Sequence, residues 1–312
     1  MTLYIKEKFI GLYSFMKTSA GLLILSNIIA NFVNFAFNAY LGRHLELSDF
    51  GIVTTISTFV YLLNFFINSM SNTVTHTVSY LEGKHKGQGS VFFRKTWIHV
   101  FVPTLLSSIA WVFAVPFISN FLNIDEYGIL ASFALAIFFG SFQVYNTGYL
   151  KGTWNFKQLA FLATFEAVSK LLIAIVFVST DFKEYVSLSI PVSILITCIV
   201  SVILTIKVYT KSPIIDKSLE TDKKFSFHFF TASMMGGLSY VMFLSFDIIL
   251  AKHYLSPEGA GIYSMLSLVG KMIYFFGTLL NTFVITLVSR AEGQGKNPKK
   301  EFLKLFAGTA FL

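Results

Sequence analysis

The chain alternates long apolar runs with short polar segments. Eight runs reach the length of roughly 20 residues that an α-helix needs to cross the hydrocarbon core of a bilayer. They cover residues 18–41, 50–78, 97–119, 127–150, 158–179, 186–208, 227–251 and 259–288, and a ninth run begins near Phe302. No polar segment is long enough to form a separate domain. The pattern predicts an all-α polytopic membrane protein.

Two of the apolar runs contain stripes of amide side chains. At about 100° per residue, the four asparagines of the first run fall on one narrow arc, and those of the second run lie close to one face. They are Asn27, Asn31, Asn34 and Asn38, then Asn64, Asn68 and Asn72, and the fourth run adds Gln143. One such amide usually hydrogen-bonds a neighbouring helix, worth about 1 kcal/mol or less. Seven on two adjacent spans favour a wet cavity for a hydroxyl-rich ligand, because amides both donate and accept.

Four ionisable residues lie deeper in the predicted spans. Glu166 and Lys170 are four positions apart, the spacing of a pair on one helix face, so a structural pair and a role in coupling both remain open. Asp247 lies near the end of the seventh run and Lys271 near the middle of the eighth. These two residues could pair with each other. We favour a functional role for Lys271, since an unpaired charge within a membrane is a functional candidate.

Composition agrees with a membrane protein and excludes several other classes. Hydrophobic residues make up 54% of the chain and charged residues 13%, against about 25% charged in soluble domains. The mean hydropathy is +0.68. The single cysteine, Cys198, allows no disulfide framework. We find no phosphate-binding loop, metal-ligand cluster or catalytic triad, and therefore expect no enzyme activity, no metal and no cofactor.

Basic residues divide unequally between the two sets of loops. One alternating set, beginning with the amino terminus, holds 19 of the 24 lysines and arginines, whereas the other set holds only Arg43, Lys183 and Lys252. Cytoplasmic loops carry the excess of basic residues. The sequence therefore predicts a cytoplasmic amino terminus in the cytoplasmic (inner) membrane, and the net charge of +8 needs no nucleic-acid partner.

A repeated passage predicts two lobes. A variant of Leu41-Gly42-Arg43-His44 returns about 210 residues later as Leu250-Ala251-Lys252-His253, and the repeat as a whole begins again just after the lysine-rich segment 209–226. We assign residues 1–208 to a six-helix lobe, 209–226 to a cytoplasmic linker and 227–312 to a second lobe. Six spans is an even number, so the repeat is parallel. A second lobe as long as the first would extend beyond residue 312, so we expect this lobe to be truncated.

These passages resemble Wzx-type polysaccharide flippases. The Asn-rich first span, Leu41-Gly42-Arg43-His44 followed by residues 49–52, and the later passage from Asp247 to Tyr263 carry the resemblance. It places the chain in the superfamily of the multidrug and toxin extruders (MATE). It implies two helical lobes around a central cavity and the outward flipping of an undecaprenyl-pyrophosphate-linked oligosaccharide. The implied partners are that substrate, membrane lipid, and the polymerase and glycosyltransferases of surface polysaccharide synthesis.

Other functions remain open at this stage. A cation-coupled multidrug antiporter of the same superfamily would need a membrane acid, for which Asp247 and Glu166 are candidates. A membrane-embedded glycan polymerase or ligase would need large outward loops, and those of this chain are short. Under the flippase hypothesis, Lys271 supplies the mid-membrane cation that a pyrophosphate-linked substrate needs.

Overall fold

The computed structural model describes residues 18–122, 124, 126–180, 182–210, 225–277 and 281–310, and all of the described secondary structure is helical. The helices are α1 (Ser19–His44), α2 (Leu47–Lys84), α3 (Gln88–Leu122), α4 (Tyr127–Gly152), α5 (Phe156–Ser179), α6 (Ser189–Tyr209), α7 (Phe227–Tyr254), α8 (Pro257–Gly277), α9 (Asn281–Gly293) and α10 (Pro298–Ala310). A short 3₁₀ helix, Lys183–Leu188, precedes α6.

Hydroxyl side chains start the first helix of each predicted lobe. The Thr18 hydroxyl accepts a hydrogen bond from the backbone N–H of Gly21, at 3.1 Å, and the Ser226 hydroxyl accepts one from Phe229. Such caps satisfy backbone donors that the first turn of a helix leaves free. Both positions follow polar sequence and precede a long apolar run, so the capping residues fix where two of the predicted spans begin.

Each of the first seven apolar runs lies within or largely overlaps one helix. Within the described residues, five segments are long and apolar enough to cross a membrane: residues 21–44, 88–122, 127–152, 156–179 and 183–209. α2 and α7, with 38 and 28 residues, have the length of a span but are richer in polar side chains. The eighth run, predicted as one span, contains α8 and most of α9, with residues 278–280 outside the described part.

The helix termini define two ends of the bundle. At one, His253 of α7 lies against Phe121 of α3, close to the ends of α1 and α5; we call this the His44 end. At the other, Arg290 of α9 lies against Gly83 of α2 and Trp154 after α4; we call this the Lys84 end. Alternate helices therefore run in opposite directions, as expected for spans joined by short turns.

α2 is the central helix of the bundle. It packs against α3 and α4 of the first predicted lobe and against α7, α8 and α9 of the second. α1 packs chiefly on α5, while α4 also packs on α3 and α6. The largest apolar core joins α1 to α6 and includes the fully buried Phe37, Leu41, Phe50 and Phe133. The division into lobes at residues 209–226 stays a prediction, because most of that segment lies outside the described residues.

The glycine-rich segment after α2 is a structural turn. The Glu82 carboxylate accepts hydrogen bonds from the backbone N–H groups of Gly87, at 3.0 and 3.1 Å, and of Gly89, at 3.1 Å. Gly87 has a φ of +92°, a conformation that side chains disfavour. Because the Glu82 carboxylate accepts from the N–H groups at the start of α3, this turn connects α2 and α3 in a fixed geometry.

Candidate functional site

A cavity of about 420 Å³ lies inside the bundle among α1, α2 and α4–α8. Its polar lining residues are Asn34, Asn38, Thr54, Ser57, Thr58, Asn68, Gln143, Glu166, Lys170, Ser193, Ser245, Ser264 and Lys271. Most of these positions lie in the halves of their helices nearer the His44 end. The volume lies within the range of about 300–1,000 Å³ typical of ligand pockets. A ligand as large as a whole oligosaccharide would fit only if the surrounding helices moved apart.

α5 carries one cation and one anion into the cavity. The Lys170 ammonium donates a hydrogen bond to the Asn34 amide oxygen of α1 and lies 4.7 Å from the centre of the Phe37 ring. The Glu166 carboxylate, one turn away, accepts a hydrogen bond from the Gln143 amide of α4. The i, i+4 spacing thus places both side chains on one face, and each forms its hydrogen bond with another helix rather than with its neighbour.

Asn38 extends the polar wall along α1. Its side-chain amide donates to the Asn34 backbone oxygen at 2.8 Å. The side-chain oxygen of Asn38 therefore stays available to accept a hydrogen bond from a ligand in the cavity. The cavity wall formed by α1 and α5 combines amides, an ammonium and a carboxylate.

The opposite wall contains the second lysine. The Lys271 ammonium of α8 lies 3.8 Å from one Asp247 carboxylate oxygen, Oδ1, of α7, and the side chains are 18% and 35% exposed. The other carboxylate oxygen accepts from Ser267 at 3.0 Å and from Tyr263 at 3.2 Å. Oδ1 is buried and accepts no hydrogen bond from the described residues. Lys271 therefore lines the cavity with its charge balanced by Asp247.

The cavity is also lined by hydroxyl groups of α2 and α8 that the sequence analysis did not predict. Thr54, Ser57, Thr58 and Ser264 line the cavity, and each donates its proton to a backbone oxygen of its own helix. Their oxygens remain able to accept from a ligand. Hydroxyl residues are common in membrane helices for packing reasons alone, so only the folded arrangement indicates which ones face a cavity.

The predicted amide set divides in the structure. Asn34, Asn38, Asn68 and Gln143 line the cavity together with Lys271. Asn27 and Asn31 lie on α1 outside the described lining. Asn72 donates to the Ser233 hydroxyl of α7 at 2.9 Å, which joins α2 to the second predicted lobe. The Asn64 side chain lies outside those that the structure describes. The role of these residues in binding stays a prediction.

α2 makes close backbone contacts with the helices of the second predicted lobe towards both ends of the bundle. At the His44 end, Gly261 of α8 lies so near the Leu47 backbone that a Cβ on it would be 2.3 Å from the Leu47 oxygen. At the Lys84 end, a Cβ on Gly293 of α9 would be 2.2 Å from the Tyr80 oxygen. The Arg290 guanidinium, 4.2 Å from the centre of the Trp154 ring, adds a contact there. α2 therefore touches the second predicted lobe on both sides of the cavity.

Charged residues surround the contact at the His44 end. Lys252 is 5% exposed, and burial lowers its pKa, while Glu126 and Glu258 raise it. Burial raises the pKa of the Asp49 carboxyl, and Glu46, Glu126 and Glu184 raise it further. Lys252 of the second predicted lobe thus faces an acidic rim on the first.

A family profile described as "Polysaccharide biosynthesis protein" matches residues 40–312. The chain belongs to this family. The match includes α2 to α10 and therefore most of the cavity lining. A comparison with curated proteins found no match.

Solved structures of MATE transporters share the fold of this family member. The MATE multidrug transporter DinF-BH is similar with a TM-score of 0.69 at 11% identity, over 95% of this chain and 70% of that one. The structure of MATE in complex with Br-NRF has a TM-score of 0.63 at 12% identity, over 96% of this chain and 74% of that one. The eukaryotic MATE transporter AtDTX14 has a TM-score of 0.61 at 14% identity, over 97% of this chain and 69% of that one. The chain is thus a multi-pass membrane protein of the MATE-like fold, and it is shorter than these transporters. Family and fold together support a membrane exporter or flippase.

Proposed function

We propose that the protein moves a lipid-linked oligosaccharide, anchored by undecaprenyl pyrophosphate, from the inner to the outer face of the cytoplasmic membrane. The observation that carries this proposal is a central cavity lined by amides and hydroxyls in a member of a polysaccharide biosynthesis family. Asn38, Asn68 and Gln143 bind sugar hydroxyls, because an amide can donate to and accept from the same sugar.

The topology proposed from the loop charges gives the direction of transport. The Lys84 end is cytoplasmic and the His44 end faces outward. α2 contacts α9 towards the cytoplasmic end and α8 towards the outward end, so loading opens the α2–α9 contact and release opens the α2–α8 contact. Transport consists of alternating these two openings around one binding cavity.

A complementation experiment tests the function. Cells that have lost their own polysaccharide flippase receive this chain, and surface polysaccharide is measured with a glycan-specific antibody. We expect restored surface polysaccharide, and a reduced level with Asn38→Leu or Asn68→Leu. Asn31→Leu is the matched control, because Asn31 belongs to the same amide stripe but lies outside the described cavity lining. If Asn38→Leu and Asn68→Leu restored as much surface polysaccharide as the unchanged chain, that result would contradict a sugar-binding cavity.

A second candidate is cation-coupled export of a drug-like cation. Glu166 favours it, because this carboxylate lines the cavity and could bind a cation or a proton. In cells lacking their drug exporters, this function predicts resistance to cationic dyes that Glu166→Gln abolishes. The proposed flippase predicts no such resistance.

A further inference from the structure

The two lysines of the cavity have different electrostatic surroundings. Lys271 is paired with Asp247 at 3.8 Å. Lys170 forms no ion pair with a carboxylate among the described residues, and its hydrogen bond goes to the neutral amide oxygen of Asn34. Binding an anion at Lys271 therefore competes with an existing carboxylate, whereas binding at Lys170 replaces a weaker, neutral acceptor.

We propose that Lys170 and Asn34 form the subsite for the phosphate oxygens of the substrate, while Lys271 remains paired with Asp247. This inference rests on the proposed function and assigns the anionic part of the substrate to one place in the cavity. A phosphate oxygen takes the hydrogen bond that Lys170 now donates to Asn34. The released Asn34 amide can then rotate and present its N–H₂ group to the same phosphate.

The surroundings of Lys170 support a specific subsite. Its ammonium is held over the Phe37 ring and against α1, so little side-chain freedom remains to be lost on binding. The charged group facing it from its own helix is Glu166, whose carboxylate is held by Gln143. That carboxylate repels free anions and weakens the binding of inorganic phosphate. An anchored substrate overcomes this repulsion through the contacts of its sugar with the rest of the cavity.

The experiment uses the 312-residue chain in lipid nanodiscs and measures binding of four probes. They are a polyprenyl pyrophosphate carrying a short sugar, the matching polyprenyl glycoside without phosphate, inorganic pyrophosphate, and phosphatidylglycerol. We expect the first probe to bind more tightly than the second. Lys170→Gln should weaken binding of the first probe by about tenfold or more, since a hydrogen bond to a charged group is lost. Binding of the second probe should stay unchanged.

Two further variants keep the result interpretable. Lys170→Met fills the same space without charge and should behave as Lys170→Gln does if the glutamine variant folds poorly. Lys170→Arg should keep affinity within a few-fold, because arginine also binds phosphate oxygens. Lys271→Gln combined with Asp247→Asn should leave the preference for the phosphate-containing probe intact.

Several outcomes would overturn the subsite. In one, the unchanged chain binds the glycolipids with and without phosphate equally tightly. In another, Lys170→Gln and Lys170→Met weaken the binding of both glycolipids by the same factor. Preference for phosphatidylglycerol or inorganic pyrophosphate would likewise assign the site to a bulk lipid or a free anion. The proposed function fails separately, if the unchanged chain does not restore surface polysaccharide in cells.

Discussion

A single methyl group at Gly261 should open the cavity on one side. Gly261→Ala places a Cβ 2.3 Å from the Leu47 backbone oxygen, and real Cβ contacts essentially never fall below 3.0 Å. The start of α8 must therefore move at least about 0.7 Å from the start of α2. Neither group can rotate away, because both the added Cβ and the opposing oxygen belong to backbone positions in helices.

The energetic cost of this change can be bounded. Overpacking a close contact typically costs about 1–3 kcal/mol. Replacing glycine by alanine within a helix returns up to about 1 kcal/mol through helix propensity. The net effect is a loss of about 0–3 kcal/mol from the closed arrangement. A Cβ at Gly270 on the same helix would meet nothing within 4 Å, so Gly270→Ala is the matched control.

Thiol labelling measures the opening. Ser57→Cys places a thiol in the cavity wall, in a chain whose buried Cys198 is replaced by serine. An impermeant maleimide applied from outside should label this thiol several-fold faster in Gly261→Ala than in the parent or in Gly270→Ala. Gly293→Ala, at the opposite end, should increase labelling only from the cytoplasmic side, for the same steric reason.

Two results would refute this reasoning. One is unchanged labelling in a Gly261→Ala protein that retains its fold by size-exclusion chromatography. The other is equal acceleration in Gly270→Ala, which would show that any alanine loosens α8. Either result would mean that the Gly261–Leu47 contact does not keep the cavity closed.

Two further predictions concern topology and the charge pair. In intact cells, a cysteine at Lys86 should be shielded from an impermeant thiol reagent and one at Glu258 should react; labelling at position 86 would reverse the proposed orientation. In thermal unfolding, Asp247→Asn and Lys271→Gln should each destabilise, and the double variant should recover part of the loss, with a coupling of about 1 kcal/mol. Strictly additive losses would exclude a stabilising pair and return Lys271 to the role of an unpaired cation available to substrate.

The pattern of apolar runs predicts the positions of most helices. A membrane span must satisfy its own backbone hydrogen bonds, so run length determines where the helices lie. The seven runs before residue 251 each correspond to one described helix, although α2 and α3 extend well beyond theirs. Hydropathy marks only the part of a helix within the hydrocarbon, and the polar turns at both ends of these helices carry no such signal.

The amide stripe shows where periodicity stops being informative. The angular arc of Asn27, Asn31, Asn34 and Asn38 runs along most of α1, but the cavity occupies only part of that length. Angle around a helix is set by local sequence, whereas the depth at which helices separate depends on packing between distant residues. Asn34 and Asn38 therefore line the cavity and Asn27 and Asn31 do not belong to its described lining.

The charged partners were the least predictable feature. Spacing placed Glu166 and Lys170 on one face, and both do line the cavity. The contact of Lys170 with Asn34 joins residues 136 positions apart, which no local rule anticipates. Conversely, the possible pairing of Lys271 with Asp247 could be raised from sequence, because only these two charges lie within the membrane portions of adjacent spans 7 and 8.

Flipping of a lipid-linked oligosaccharide by the purified protein can be measured in vesicles. The 312-residue chain is reconstituted into vesicles with a lipid-linked oligosaccharide carrying a fluorophore on its sugar, and an impermeant quencher is added outside. We expect vesicles containing the protein to lose nearly all fluorescence, because substrate from the inner leaflet reaches the outer one. Vesicles with the protein that keep the same protected fraction as protein-free vesicles would contradict it.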